Sequence, residues 1–382
     1  MTGPLAGLRI LDFTWYLAGP YATMILCDLG AEVVKVEAPG CGDPTRKAGP
    51  FIGDLSAYFL SVNRGKRSLE LDLKSEAGRE TASKLSAHAD VVVENFMPGT
   101  MGRLGLDYAV LSVQNPGLIY ASCSGFGQTG PRAKQPAFDV IIQALAGTMS
   151  ITGQEVGEPV RVGYSVGDLA AGLFLAIGIL SAVEARHRTG RGQFLESGLL
   201  DAQLAMLENA FSRYFVTGET PRPIGSRHPL IVPFQAFPSQ DGHVVVAAGT
   251  EKQWERLCDV IGRRDLAEDA RFVDNLSRCE NIPALVEELS AVFRMDSTAT
   301  WVQVLSARDI PCAPIQDIAQ AAADPQVVAR EMIVEVDDPL AGKQRVVNTP
   351  LRFSETPAAV TRSSPQLGEH TETIIEEWLG HN

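Results

Sequence analysis

Residues 8–37, LRILDFTWYLAGPYATMILCDLGAEVVKVE, set the fold. The segment LRILDF is a short apolar run that suits a buried strand, and AEVVKVE is another. Between them GPYATMILCDLG has the length and apolar spacing of a helix, closed by Gly30. A strand, a helix and a second strand in this order form a right-handed crossover, and hence a parallel sheet. Working outward, the rhythm continues with a helix around Ala77–His88, the strand DVVVENF and the strand LIYASCSGFG. In such sheets ligands lie beyond the carboxyl ends of the strands. Here those ends run into EAPG, ENFMPG and SCSGFGQTGP, which are rich in Gly or Pro. No G-x-G-x-x-G follows the first strand, so neither a nicotinamide nor a flavin dinucleotide is expected.

With 382 residues, 45% of them hydrophobic and 21% charged, the chain has the composition of a soluble globular protein with room for two domains. A net charge of −13 speaks against nucleic acid or an anionic membrane as the main partner. Cys27, Cys41, Cys123, Cys258, Cys279 and Cys312 form no C-x-x-C, so neither zinc nor a disulfide framework is signalled. His88, His187, His228, His243, His370 and His381 show no H-x-x-x-H or H-E-x-x-H spacing, and no metal is expected. No G-x-S-x-G elbow is present, which disfavours a serine hydrolase. The first residues lack a basic stretch followed by an apolar one, so a cytoplasmic location is the expectation.

The predicted organisation is a large α/β domain over 1–210, a linker at 211–224 around GETPRPIGSRHP, and a smaller α+β domain over 225–314. The smaller domain opens with a hairpin turning at Asp241–Gly242. A second linker over 315–358, helix-like at DIAQAAADPQVVAREM and extended at VVNTPLRFSETP, leads to a segment at 359–382. That segment holds an amphipathic helix, LGEHTETIIEEWLG, which needs a core to pack on. There is no internal repeat and no low-complexity stretch.

The chemistry-bearing candidates begin with Asp168 in VGYSVGDLAAGLFLAIGILSAVEARHRTGRGQ, residues 162–193. It stands before an uncharged run, Leu169–Val183, that is shorter than the roughly 20 residues a bilayer span needs and suits a buried core helix. Gly172 and Gly178 within the run suit close backbone packing. Asp168 is either the N-cap of this helix or a nucleophile kept ionised by the helix end, and the two roles are compatible. Arg64, Lys66, Arg67 and Lys74 cluster in NRGKRSLELDLK, as solvated charge or as a phosphate site. Asn95 closes a strand and Arg103 follows, where a guanidinium could fork onto phosphate oxygens. Arg227 and His228 in GSRHP form either a surface turn or a carboxylate-reading pair.

Taken together, LAGLRILDFTWYLAGP, LGAEVVKVEAPGCGDPTR, NRGKRSLELDLK, VENFMPGTMGRLGL, GFGQTGP, PAFDVIIQALAG, GDLAAG, RTGRGQ and the final LGEHT resemble the class III CoA-transferase family along nearly the whole chain. This is the group of formyl-CoA transferase, carnitine CoA-transferase and 2-methylacyl-CoA racemase. The resemblance implies a Rossmann-like large domain completed by the C-terminus, a smaller α+β domain, and a homodimer of two threaded chains. It implies coenzyme A as the carried group, free carboxylic acids as partners, and Asp168 as the nucleophile of a ping-pong reaction. The family's CoA-binding segments fall on Ala18, on Leu71, Asp72, Leu73 and Lys74, on Asn95, Phe96 and Met97, on Arg103, and on Pro136, Ala137, Phe138 and Asp139. Leu17 stands where some relatives carry Gln, Ala38 where some carry Arg, and GSRHPLIVPFQAF replaces the glycine-rich flap of formyl-CoA transferase. These departures speak against formyl-CoA and oxalate. They favour succinyl-CoA with short dicarboxylates such as glutarate or itaconate, whose distal carboxylate Arg227 and His228 would hold beside Leu17. A racemase needs an acid–base pair, and its His falls on Phe138, which cannot exchange a proton. A non-catalytic CoA-binding protein is the remaining alternative.

Overall fold

The computed structural model describes residues 3–380, so His381 lies outside the described residues. Two compact units emerge. One comprises the residues up to Met149, Arg161–Glu219, and those from Pro325 on; the other comprises Ser150–Val160 and Thr220–Asp324. The excursion at Ser150–Val160 has no signature in the sequence.

The first unit is built on β1 (Arg9–Asp12), β2 (Glu32–Glu37), β3 (Arg67–Glu70), β4 (Val91–Glu94), β5 (Ile119–Ser124) and β6 (Phe194–Gly198). They form one sheet in the order β3-β2-β1-β4-β5-β6, with every pairing parallel. Leu11 faces Val34 on one side and Val92 on the other, so apolar residues meet in register. This is the order of doubly wound sheets, whose direction reverses between the first and fourth strands and opens a crevice there.

Side-chain alternation gives each face its own core. On one face Ile10, Val33, Val91, Ile119 and Ala121 pack with α1 (Ala18–Asp28), the long α4 (Val166–Thr189) and α5 (Leu199–Met206). On the other face Leu11, Val34, Leu69, Val92 and Tyr120 pack with α2 (Glu76–Ala87) and with Ile374 and Trp378 of α6 (Thr371–Leu379). The C-terminal helix thus completes this core. It is tied to β3 by the His370 N–H on the Ser68 carbonyl at 3.0 Å and the Glu70 N–H on Thr371 Oγ1 at 3.0 Å.

Helix α4 has 24 residues because its first and last turns extend the uncharged run, and by length and composition it could cross a membrane. It is a core helix along one side, where Ala170, Ala171, Leu175, Ala176 and Ile179 are buried. Gly172 lets it approach α1, for a Cβ there would sit 2.7 Å from the Ala18 carbonyl oxygen. After α4 the chain must pass under β5. A Cβ on Gly192 would overlap the Leu118 carbonyl oxygen, which belongs to fixed backbone. Gly192→Ala is therefore expected to lower stability by about 1–3 kcal/mol, the usual range for overpacking, as read from the urea midpoint.

Three of the four charges in the basic cluster are spent on carboxylates of the fold. Arg64 is buried on Asp28 at 2.7 Å, Lys66 is buried on Asp12 at 3.0 Å, and Arg67 bonds Glu32 at 2.7 Å and Glu377 at 2.6 Å. These cations neutralise carboxylates that the sheet and α1 bury, a pairing that burial enforces. Only Lys74 of the four is exposed without an ion pair among the described residues.

The second unit holds a three-stranded antiparallel sheet of Phe234–Pro238, His243–Ala247 and Cys312–Pro314. Four of its helices cover a core of Phe237, Val244, Trp254, Leu289 and Phe293. The stretch 315–358, expected as linker, contains helices Ile318–Ala323 and Pro325–Ala329 and a hairpin of Ile333–Asp338 with Gly342–Val347. Val336 and Val346 of that hairpin pack on Leu55 and Leu60 of the first unit's core.

Candidate active site

A cavity of about 450 Å³ opens in the first unit where β1 and β4 end, at the reversal point of the sheet. Tyr16, Leu17 and Ala18 form the wall that follows β1, and Asn95, Phe96 and Met97 the wall that follows β4. Pro136–Asp139 enters from the start of α3 (Asp139–Leu145), and Asp168 from the first turn of α4.

The wall after β1 is held by two side chains from neighbouring elements. The Asn95 side chain accepts the Trp15 N–H at 2.8 Å and donates to the Trp15 carbonyl at 2.7 Å. Lys35 Nζ donates to the Thr14 carbonyl at 2.6 Å and pairs with Asp43 at 2.9 Å, both side chains being fully buried. Tyr16 takes φ +63°, a left-handed conformation that costs a non-glycine residue and persists only where its surroundings impose it. Asn95, expected to touch CoA, thus spends its amide on the loop.

Asp168 is not the N-cap. Ser165 holds that place without a side-chain bond, and Asp168 stands in the first turn three residues on. The free N–H of Gly167 is satisfied by Asp139 Oδ1 at 2.7 Å, and Asp139 Oδ2 accepts from Gln143 Nε2 at 2.6 Å. A Cβ on Gly167 would overlap Gln203 Nε2, so a larger residue there must displace that side chain. Asp168 is left half-buried beside Asp139, and among the described residues nothing hydrogen-bonds its carboxylate. Burial first, and the Asp139 charge second, push its carboxyl up to about 7. The expectation that the helix end keeps it strongly acidic is therefore reversed, because desolvation without a donor outweighs the helix dipole.

Cys123, Tyr58 and Arg161 also line the cavity, and none was singled out from sequence. Burial raises the Cys123 thiol far above its ordinary value, and Asp168 and Glu94 add to that, so it is inert as a nucleophile at neutral pH. Burial, followed by the Asp168 charge, raises the Tyr58 phenol. Tyr58 and Arg161 had no local signal, while Cys123 ends a strand whose loop was already marked as ligand-facing. Glu94, buried before Asn95, accepts from Ser122 Oγ and from the Phe96 N–H at 2.8 Å; burial still lifts its carboxyl to about 7.

Other candidates lie elsewhere. Leu71–Lys74 follow β3 on the same edge of the sheet but do not line the cavity, nor does exposed Arg103, whose Nη2 donates to Thr100 Oγ1 at 2.9 Å. Arg227 bonds Glu155 at 3.1 Å, and His228 Nδ1 accepts the N–H groups of Leu230 and Ile231, all within the second unit. Among the described residues no group of His, Cys, Asp and Glu could hold a metal ion.

The geometry can be set beside known proteins. The family model described as CoA-transferase family III matches residues 5–371. An acetyl-CoA:oxalate CoA-transferase of Acetobacter aceti is 46% identical over 87% of this chain and 86% of its own. A succinyl-CoA:mesaconate CoA-transferase of Haloarcula hispanica is 43% identical over 98% of this chain and 96% of its own. A succinyl-CoA:glutarate CoA-transferase of Mus musculus is 40% identical over 99% and 87%. A CAIB/BAIF family protein of Brucella suis superposes with a TM-score of 0.89 at 38% identity, covering 99% of this chain and 100% of that one. Oxalate is thus named for a relative, so Leu17 and Ala38 do not by themselves argue against it.

Proposed function

The chain belongs to CoA-transferase family III and is a CoA-transferase, and from that premise we propose that Asp168 is its nucleophile and short dicarboxylic acids its substrates. The observation that carries this reading is a carboxylate, without hydrogen-bond partners among the described residues, in a cavity at the sheet's reversal point. Asp168 attacks the thioester carbon of the donor acyl-CoA, and the CoA thiolate leaves, giving a mixed anhydride. The thiolate then attacks the aspartyl carbonyl of the anhydride, forming an aspartyl-CoA thioester and releasing the first acid. The acceptor carboxylate attacks that thioester, expelling the thiolate, which takes up the new acyl group and frees Asp168. Each step conserves charge, and no water or external acid enters.

Mesaconate and glutarate in the names of two relatives support dicarboxylates, and oxalate in a third belongs to the same class. Coenzyme A would run along the carboxyl edge, past Ala18, Asn95–Met97 and Pro136–Asp139, with Leu71–Lys74 and Arg103 toward its phosphates. The reading includes a threaded homodimer, for which the exposed Leu173, Phe174 and Ile177 on α4 offer an apolar surface to cover.

The test is a pH profile with trapping. Attack requires the ionised carboxylate, so kcat/KM for the donor should fall about tenfold per pH unit below about 7 and level off above it. In Asp139→Asn the neighbouring negative charge is gone, and the inflection should move to lower pH. Hydroxylamine added during turnover should label Asp168 and no other residue. A flat profile from pH 5 to 8, or label on a different side chain, rejects the nucleophile assignment. Release of α-proton label without an acceptor acid would point to an isomerase instead.

A further inference from the structure

We propose that Arg161 is the specificity-determining residue that binds the distal carboxylate of the dicarboxylic substrate. This rests on the reading of Asp168 as nucleophile. Arg161 and Asp168 line one cavity, and Arg161 is the one Arg or Lys among the residues that line it. Its side chain is exposed, its Nε donates to the Val162 carbonyl at 3.0 Å, and no carboxylate among the described residues pairs with it. Both terminal nitrogens of the guanidinium are left to bond a ligand, in the fork that matches a carboxylate. Arg227, by contrast, is already paired with Glu155, and His228 Nδ1 already accepts two backbone N–H groups.

The spacing between Arg161 and Asp168 is held by a single pair of side chains. Gln143 Oε1 accepts the Val162 N–H at 2.9 Å, Gln143 Nε2 donates to Asp139 Oδ2 at 2.6 Å, and Asp139 Oδ1 accepts the Gly167 N–H at 2.7 Å. Arg161 and Asp168 sit one residue outside the two anchored positions. The arrangement fixes the backbone next to Arg161 and next to Asp168, and so the two ends from which a substrate's carboxylates would be met. A monocarboxylic acid of equal length leaves the guanidinium unpaired.

The experiment compares glutarate with pentanoate as acceptors, using one donor. In a ping-pong reaction kcat/KM for the acceptor reports the second half-reaction alone, so the donor drops out. The glutarate-to-pentanoate ratio should fall about tenfold to a hundredfold in Arg161→Gln, the range of a lost charge-assisted hydrogen bond. Arg161→Lys should fall between, since an ammonium keeps the charge without the fork. An unchanged ratio overturns the proposal. So does an equal loss for both acids with a raised KM for CoA, which would make Arg161 a phosphate ligand. A readout free of turnover separates this from the parent reading. In Asp168→Asn protein, glutarate but not pentanoate should slow phenylglyoxal modification of Arg161, followed by peptide mass spectrometry. Protection with residual transfer in that variant would leave Arg161 standing and reject Asp168; absence of protection rejects Arg161 whatever Asp168 does.

Discussion

Asp168→Asn should reduce CoA transfer by at least about 10⁴-fold, because replacing a covalent nucleophile removes the whole pathway and not one contact. Fold and CoA binding should survive, since among the described residues no hydrogen bond depends on this carboxylate. The same substitution should stabilise the protein in a pH-dependent way. The folded-state carboxyl titrates near 7 against an ordinary value of 3.8, so the folded protein holds this proton more tightly than the unfolded chain. Relative to the fully ionised state, its stabilising contribution is complete below about 4 and is lost as pH rises through about 7. The Asn variant carries no such loss. Its Tm should therefore gain on the wild type between pH 4 and 7 and keep that margin above. A variant with half the wild-type rate would mean that Asp168 is not the nucleophile, and a Tm difference independent of pH that it is not a desolvated carboxylate.

Lys35→Met should cost about 3–5 kcal/mol, the usual penalty for stripping one partner from a buried ion pair. Lys35 and Asp43 are both fully buried 2.9 Å apart, and Lys35 also holds the Thr14 carbonyl. Burial alone would lower the Lys35 ammonium, but Asp43 and Asp12 outweigh it and raise it. Burial likewise pushes the Asp43 carboxyl up, and Lys35 with the Thr45 N–H brings it below its ordinary value. The pair is therefore intact at neutral pH, and its contribution is present above about 4 and fades in more acid solution. Urea unfolding at pH 7 measures the loss. Because the clamped loop carries Tyr16, Leu17 and Ala18 into the cavity, the variant should also show a raised KM for acyl-CoA. A loss under about 1 kcal/mol would show that the site admits water and that the loop is held by Asn95 alone.

β1, β2, β4, β5 and α4 were legible because each is built on an apolar run, a purely local property, whereas β3 (RSLE) and β6 (FLESG) carry charges and do not read as strands. The strand order was not legible either, since no residue of LRILDF encodes which later strand will lie beside it. Asp168 was legible as an acid at a helix start, but its environment was not: Asp139 lies 28 residues before Gly167 along the chain and acts on both the helix end and the carboxyl. The charges of NRGKRSLELDLK misled for the same reason, since their partners Asp12, Asp28, Glu32 and Glu377 are distant in sequence. The hairpin Ile333–Asp338 with Gly342–Val347 was missed although DPLAGK lies at its turn.

The helix Thr371–Leu379 has a consequence for how this protein is made. It covers Leu69, Ala82 and Leu85, which emerge from the ribosome some three hundred residues earlier, as the His370–Ser68 pairing across 302 positions indicates. Domains tend to fold as units, in order of synthesis. Here the earlier unit must wait with one face of its sheet only partly covered while the whole of Thr220–Asp324 is translated and can fold on its own core. For that interval the nascent chain exposes apolar surface that only its last segment can cover. A stop codon before Thr371 would make the interval permanent, so truncated chains should be clients of chaperones and targets of proteolysis even though every residue around Asp168 has been made.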